Sequence, residues 1–172
     1  MAAKEATVYI VDVGRSTGEC HSGRTESDLD YAMSYVWDKL ATTASASRKT
    51  LFVGVIGLRT DESDNHLVGD GFSGFENLSI LKEVGPIQMS DLRHLQNVIR
   101  PSNTDNGDAI SAVALAVDML ERGTQLKSGK PAKFIRNIVL VTDGYGAIEG
   151  DEKEALDIAK RINEWEMSLR VM

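Results

Sequence analysis

The sequence has a single cysteine, Cys20, so the chain cannot form an internal disulfide and requires no oxidising compartment. It also lacks any run that approaches the ~20 apolar residues of a membrane span. The residues that follow Met1 lack the apolar core of a signal peptide. These absences lead us to expect a cytosolic or nuclear protein with no membrane partner.

Basic residues are few relative to acidic ones, with 19 Lys and Arg against 26 Asp and Glu, and the net charge is −7. Nucleic-acid binding rests largely on Lys and Arg side chains that neutralise phosphates, and an acidic surface opposes it. We therefore expect this chain by itself to bind DNA poorly. A basic or apolar protein is the better-suited partner.

Motifs of the common hydrolytic enzymes are also missing. The stretch 123–131 has one residue too many for a phosphate-binding loop, and it places Pro131 where that loop needs Ser or Thr. His21, His66 and His94 are widely spaced and form no zinc-binding His-Glu-x-x-His pair. The sequence therefore predicts no catalytic activity for this chain.

What the sequence does contain is the pattern of an α/β protein. Apolar strands at 8–13, 51–58 and 135–143 alternate with helices, which predicts a doubly wound, mainly parallel, Rossmann-like sheet flanked by helices. With 172 residues, the chain has the size of one domain, 1–172. The last apolar run, 168–172, starts a strand without the helix that should follow it. We therefore expect this chain to be the front part of a longer one.

Periodicity and capping residues place the remaining elements. Apolar residues at helical spacing predict a helix that begins near Ser27 or Asp28. Ser90 is expected to cap a short helix that stops before Pro101. Residues 60–78 are polar and glycine-rich, which predicts a loop or a short edge strand rather than a buried element. The other predicted elements are an edge strand at 80–84, a buried helix at 108–122 and an amphipathic helix at 151–166.

Four hydroxyl and carboxylate side chains are predicted to meet at one edge of this sheet. Asp12 and Ser16 follow the first strand, Asp143 ends a later one, and Thr104 precedes the buried helix. The carboxyl ends of parallel strands form the ligand crevice of such folds. These hard oxygen ligands suit Mg²⁺ held partly through water. The other interpretation is that Asp12 only bonds to nearby backbone amides.

The spacing of these four residues resembles the metal-ion-dependent adhesion site of von Willebrand factor A domains. In that motif, Asp-x-Ser-x-Ser, both serines ligate the cation, whereas Gly14 stands here in place of the first serine. Glycine has no side-chain oxygen, so a water would have to substitute and binding should weaken. An adhesion-type A domain that binds an acidic ligand through Mg²⁺ is therefore the alternative function; otherwise we expect no cofactor.

Five longer stretches carry a more specific pattern: Asp12-Val13-Gly14, the loop from Arg59-Thr60-Asp61 through Asn65-His66-Leu67 to Asn77, Ile99-Arg100-Pro101, Asp108-Ala109-Ile110 and Val117-Asp118-Met119. Together they resemble the N-terminal domain of the larger subunit of the Ku heterodimer. The resemblance runs over essentially all of the chain.

This resemblance implies a nuclear protein that acts in double-strand-break repair by non-homologous end joining and in telomere maintenance. In Ku, a β-barrel region beyond this domain pairs with the smaller subunit and encircles DNA. The N-terminal domain lies outward and recruits end-joining and telomere proteins through short peptide motifs. The family carries an ATP-dependent helicase label, but this chain holds no motif that would perform that reaction.

The resemblance also points to a peptide site. Leu67 and Phe75 in the glycine-rich loop, with Val113 and Ala114 in the buried helix, would form an apolar pocket for an aromatic or aliphatic anchor. Asp108 beside them would favour basic peptides. For Val113 and Ala114, core packing is the competing interpretation.

A second candidate partner surface is the outer face of the last helix. Its outward side chains are Glu154, Asp157, Arg161 and Glu164. Charged outer faces are often only solvated, and that is the competing interpretation here.

Overall fold

A computed structural model describes residues 4–21, 23–46, 49–148, 150 and 152–172, with helices on both faces of one sheet. The strands are β1 Lys4–Asp12, β2 Leu51–Leu58, β3 Leu78–Pro86, β4 Phe134–Val141 and β5 Met167–Val171. The helices are α1 Asp28–Ser45, α2 His66–Gly69, α3 Met89–Val98, α4 Ala109–Thr124 and α5 Glu152–Glu164, and a 3₁₀ turn covers Arg15–Gly18.

The strand order in the described part of the chain is β3-β2-β1-β4-β5. β1 pairs in parallel with β2 and β4, β5 adds in parallel to β4, and β3 runs antiparallel at the edge. The predicted doubly wound, mainly parallel sheet is confirmed. Asp12 at the end of β1 lies in register with Leu58 at the end of β2. The residues that follow these two strands therefore meet at one edge of the sheet.

Each face of the sheet has its own apolar layer. Strand β2 contributes to both, with Ile56 and Leu58 in the layer under α4 and α5, and Val53 and Val55 in the layer under α1 and α3. Strand β2 is therefore covered on both faces. Helix α4 is buried on nearly every side, as its composition predicts. Each large apolar side chain buried in this way contributes about 1.5–3 kcal/mol to stability.

Capping residues set where two of the helices begin. The Ser27 side chain caps α1 by accepting a hydrogen bond from the Asp30 N–H (3.1 Å), in agreement with the sequence prediction. The prediction that Ser90 caps the next helix is wrong. The Gln88 N–H donates to the Asp91 carboxylate (2.8 Å), and α3 therefore already begins at Met89.

The glycine-rich loop contains the short helix α2, which the sequence did not predict. Asn65 caps α2 by accepting a hydrogen bond from the Val68 N–H (3.0 Å). The Asn65 amide also donates to the carbonyls of Leu78 (2.7 Å) and Phe75 (3.0 Å). One buried asparagine thus fixes the loop that carries Leu67 and Phe75 to the start of β3.

Helix α5 begins at Glu152; Asp151, the first residue of the predicted helix, lies outside the described residues. No helix in the described part of the chain is long and apolar enough to cross a membrane.

Candidate functional site

Asp12 lies at the edge where β1, β2 and β4 end, and it is only 2% exposed. Its Oδ1 accepts a hydrogen bond from the Gly14 N–H (3.0 Å), and its Oδ2 accepts one from the Thr142 hydroxyl (2.7 Å). The Arg59 guanidinium donates to the same Oδ2 and forms a buried ion pair with Asp12. The carboxylate is therefore held by a backbone amide, a hydroxyl and a positive charge.

The other predicted cation ligands lie along the same edge. The Ser16 hydroxyl donates to the Asp143 carboxylate over 2.6 Å. The Thr104 hydroxyl accepts a hydrogen bond from the Asn106 N–H (3.0 Å), and its carbonyl accepts one from the Arg15 N–H (3.0 Å). The structure thus pairs Ser16 with Asp143, while hydrogen bonds place Thr104 beside the 3₁₀ turn that contains Ser16.

These residues do not fit a divalent cation in the arrangement that they adopt. Burial raises the pKa of Asp12, and hydrogen bonds from Thr142 and Gly14 together with the Arg59 charge oppose that rise. Magnesium needs oxygen ligands in a near-octahedral arrangement. Both Asp12 oxygens are already bonded to protein donors, and Arg59 places a positive charge against them.

A second feature is a cleft of about 410 Å³ that is lined by residues of the glycine-rich loop, α4 and the segment at and after the start of α5. Phe75 from the glycine-rich loop and Ala114 from α4 form its apolar part, together with Ile158 of α5. Phe75 is partly buried against the core, so its ring is fixed without being fully covered. The charged side chains around the cleft are Lys153, Glu154, Asp157 and Arg161.

This cleft joins residues that the sequence assigned to two separate surfaces. Phe75 and Ala114 come from the predicted peptide pocket, while Glu154, Asp157 and Arg161 come from the predicted outer face of the last helix. They meet because α5 packs beside α4. Glu164, the fourth residue predicted on that face, is exposed but does not line the cleft.

The other predicted pocket residues do not line the cleft. Val113 is 6% exposed and belongs to the core, and Leu67 packs against the same core. Asp108 is buried and caps α4 by accepting a hydrogen bond from the Ser111 N–H (2.7 Å). Its carboxylate also accepts a hydrogen bond from the Gly150 N–H (3.4 Å).

The wall of the cleft on α5 is tied to α4 by a two-point ion pair. The Arg161 guanidinium donates to the two carboxylate oxygens of Glu121, over 3.0 and 2.8 Å. The hydrogen bonds and charge of Glu121 raise the pKa of Arg161. Farther out, Lys160 donates to Asp157 over 2.8 Å. The Arg161 charge is therefore compensated from within the protein.

Sequence reasoning missed two residues that shape these features. Arg59 directly follows β2, so its position at the carboxyl end of a strand next to β1 was the available signal. Glu121 lies near the end of α4, whose residues are apolar on nearly every side. A charged residue on such a helix indicates a partner on a neighbouring element. In both cases the partner was far away in sequence, 47 residues for Arg59 and Asp12 and 40 for Glu121 and Arg161.

Comparison with known proteins gives the family. The family model described as the Ku70/Ku80 N-terminal alpha/beta domain matches residues 6–162. Three fungal relatives share the name ATP-dependent DNA helicase II subunit 2. The protein of Neurospora crassa is 45% identical over 172 residues, that of Coccidioides immitis 52% over 152, and that of Schizosaccharomyces pombe 32% over 171.

These matches cover 100%, 88% and 99% of this chain but only 23%, 20% and 23% of the relatives. The chain thus spans less than a quarter of the length of these relatives. Among solved structures, the SpRpn10 VWA domain matches 98% of this chain and 74% of its own, with a TM-score of 0.62 and 12% identity. That likeness shows the fold. Because the family model covers most of the chain, the chain belongs to the Ku N-terminal α/β domain family.

Proposed function

We propose that this chain is a protein-recruitment domain of a Ku DNA-end-binding complex. It acts in the nucleus, in double-strand-break repair by non-homologous end joining and in telomere maintenance, and performs no reaction itself. Family membership and the shared name of the relatives support the Ku assignment. In this proposal, the smaller Ku subunit and the DNA are contacted by regions beyond this chain.

The observation that carries the recruitment role is the cleft between the glycine-rich loop, α4 and α5. Its apolar part is formed by a partly buried aromatic ring and two buried aliphatic side chains, Phe75, Ala114 and Ile158. A pocket of this kind takes one aromatic or aliphatic anchor, and such anchors supply most of the energy of peptide recognition. The volume of about 410 Å³ is enough for a large side chain.

Charge favours a basic peptide over an acidic one. The net charge of −7 attracts a basic segment at long range and raises its association rate. At the cleft itself, Arg161 is neutralised by Glu121, so this arginine does not repel a basic peptide strongly. The same acidic balance opposes direct binding of DNA by this chain.

The test is fluorescence polarisation with a short labelled peptide that carries arginines beside one tryptophan. Phe75→Ala removes the aromatic wall of the pocket and should weaken binding by about 2 kcal/mol, or about thirtyfold. Phe72→Ala is the matched control. Phe72 lies three residues away in the same loop, is 59% exposed and does not line the cleft. Equal effects of the two changes, or no effect of either, would remove the cleft from the proposal.

A further inference from the structure

Arg59 is enclosed in a way that surface arginines are not. It is 3% exposed and directly follows β2. Its backbone has a φ of 62°, a left-handed conformation that is uncommon for residues other than glycine. Its guanidinium bonds to the Asp12 carboxylate and donates to the carbonyl of Ala147 (3.4 Å). Arg59 therefore combines an unfavourable backbone conformation with a buried, charged side chain.

Three glycines leave the space that this side chain fills. A Cβ atom at Gly14 would lie 2.9 Å from the Arg59 Cδ and 3.2 Å from the Asp12 Oδ1. A Cβ atom at Gly107 would lie 3.3 Å from the Arg59 Cγ, and one at Gly146 would overlap the guanidinium. The segments after β1, before α4 and after β4 thus each lack a side chain where Arg59 passes.

We infer that Arg59 is a built-in cation that takes the place of a divalent metal at this sheet edge. Gly14 and Arg59 are then two parts of one replacement. Gly14 removes the serine oxygen that a metal would use, and the same absence of a side chain admits the arginine. A serine at position 14 would be in close contact with the Arg59 side chain while that side chain is paired with Asp12.

The surrounding carboxylates fit this inference. Asp12 and Asp143 repel each other, and a positive charge beside them reduces the cost of keeping both carboxylates at one edge. Arg59 supplies that charge to Asp12, while the Ser16 hydroxyl bonds to Asp143. A neighbouring carboxylate, Asp105, has a separate exposed partner in Arg15.

The functional consequence concerns how partners bind. A metal with an open coordination position can bind an acidic group of a partner, whereas a buried guanidinium already paired with Asp12 leaves no such position. The sheet edge is then a permanently closed ion pair rather than a cation-dependent ligand site. Recognition of an acidic partner group through a bound cation is then absent from this edge.

The experiment measures Mn²⁺ uptake by electron paramagnetic resonance. The double variant Gly14→Ser with Arg59→Gly restores the serine oxygen and removes the internal cation, and glycine suits the positive φ at position 59. Arg15→Gly is the matched control, because it removes an arginine that is 72% exposed at the same edge. We expect one bound Mn²⁺ per double variant, lost on Asp143→Asn, and no saturable uptake by the unmodified chain or the control.

Two results would overturn the inference. One is Mn²⁺ binding by the unmodified chain that Asp143→Asn abolishes. The other is a folded double variant, verified by circular dichroism, that takes up no more Mn²⁺ than the unmodified chain. If the double variant does not fold, the unmodified chain still gives a measurement. The ¹⁵N resonance of the Arg59 Nε should not move in millimolar Mg²⁺, and a saturable shift would contradict the inference.

Discussion

Replacing Arg59 with methionine separates the charge of this side chain from its bulk. Methionine fills much of the same space and has the same difficulty with a φ of 62°, so the backbone cost is unchanged. What disappears is the guanidinium that donates to Asp12. The Asp12 carboxylate, 2% exposed, then keeps its hydrogen bonds from Gly14 and Thr142 but loses this buried counter-charge.

The expected destabilisation follows from this burial. Removing one partner of a buried ion pair leaves an uncompensated charge and costs about 3–5 kcal/mol. A chain of this size loses about 2–4 °C in Tm for each kcal/mol. Arg59→Met should therefore lower Tm by about 6–20 °C. That is a large share of the total stability of a typical domain, about 5–15 kcal/mol.

The stability that Arg59→Met loses should depend on pH in a defined direction. Burial already raises the pKa of Asp12 above its usual value. The contribution of this group to folding stability is therefore largest at low pH, and it is lost as the pH rises through the raised pKa. Without Arg59 the pKa of Asp12 rises further, so the variant loses more folding stability at neutral pH. The stability gap between the variant and the unmodified chain should therefore narrow when the pH falls from 7 towards about 5.

Urea unfolding at these two pH values provides the measurement. Arg15→Met is the control with the same chemical change, and its ion pair with Asp105 is exposed, so a change within about 0.5 kcal/mol is expected. If Arg59→Met were as stable as the Arg15→Met control, Asp12 would not depend on a buried counter-charge. A gap that stayed constant between the two pH values would refute the role assigned to Asp12 ionisation.

Two further predictions concern other parts of the fold. Arg136 is 4% exposed and donates to several backbone carbonyls, so Arg136→Leu should cost about 3 kcal/mol in urea unfolding, and an unchanged midpoint would contradict its bonding role. The Glu121–Arg161 pair is partly exposed, and solvent screening limits its value. A double-mutant cycle with Glu121→Gln and Arg161→Met should give a coupling of about 1 kcal/mol, and zero coupling would show that the pair does not tie α5 to α4.

The sequence predicted the architecture well because hydrophobic periodicity records burial. The run at Leu51–Leu58 is buried from both sides, and the alternation of strands with helices leaves few possible topologies. Local boundaries were less predictable. Ser90 is a good capping residue in isolation, but the bond between Gln88 and Asp91 starts the helix earlier, which depends on side-chain geometry.

The sequence predicted the two candidate sites only in part, for a related reason. Local spacing identified Asp12 and Ser16 as candidate site residues. It could not show that Arg59, which is distant in sequence, lies against Asp12. Likewise, the sequence assigned Phe75 and Asp157 to different surfaces, because the packing of α5 beside α4 is a tertiary contact. Residue types and the positions of strand ends indicate which side chains lie at the carboxyl edge of the sheet. Which of these side chains pair with each other depends on tertiary packing.

We propose that partner polypeptides bind this domain in the cleft between the glycine-rich loop, α4 and α5. The most direct test of this proposal is two-dimensional ¹H–¹⁵N NMR of the chain titrated with the labelled basic peptide that carries one tryptophan. We expect saturable shift changes clustered at Phe75, Ala114 and Ile158, with the amides around Asp12 and Asp143 unchanged. Shift changes centred on the sheet edge at Asp143, with none at Phe75, would contradict it.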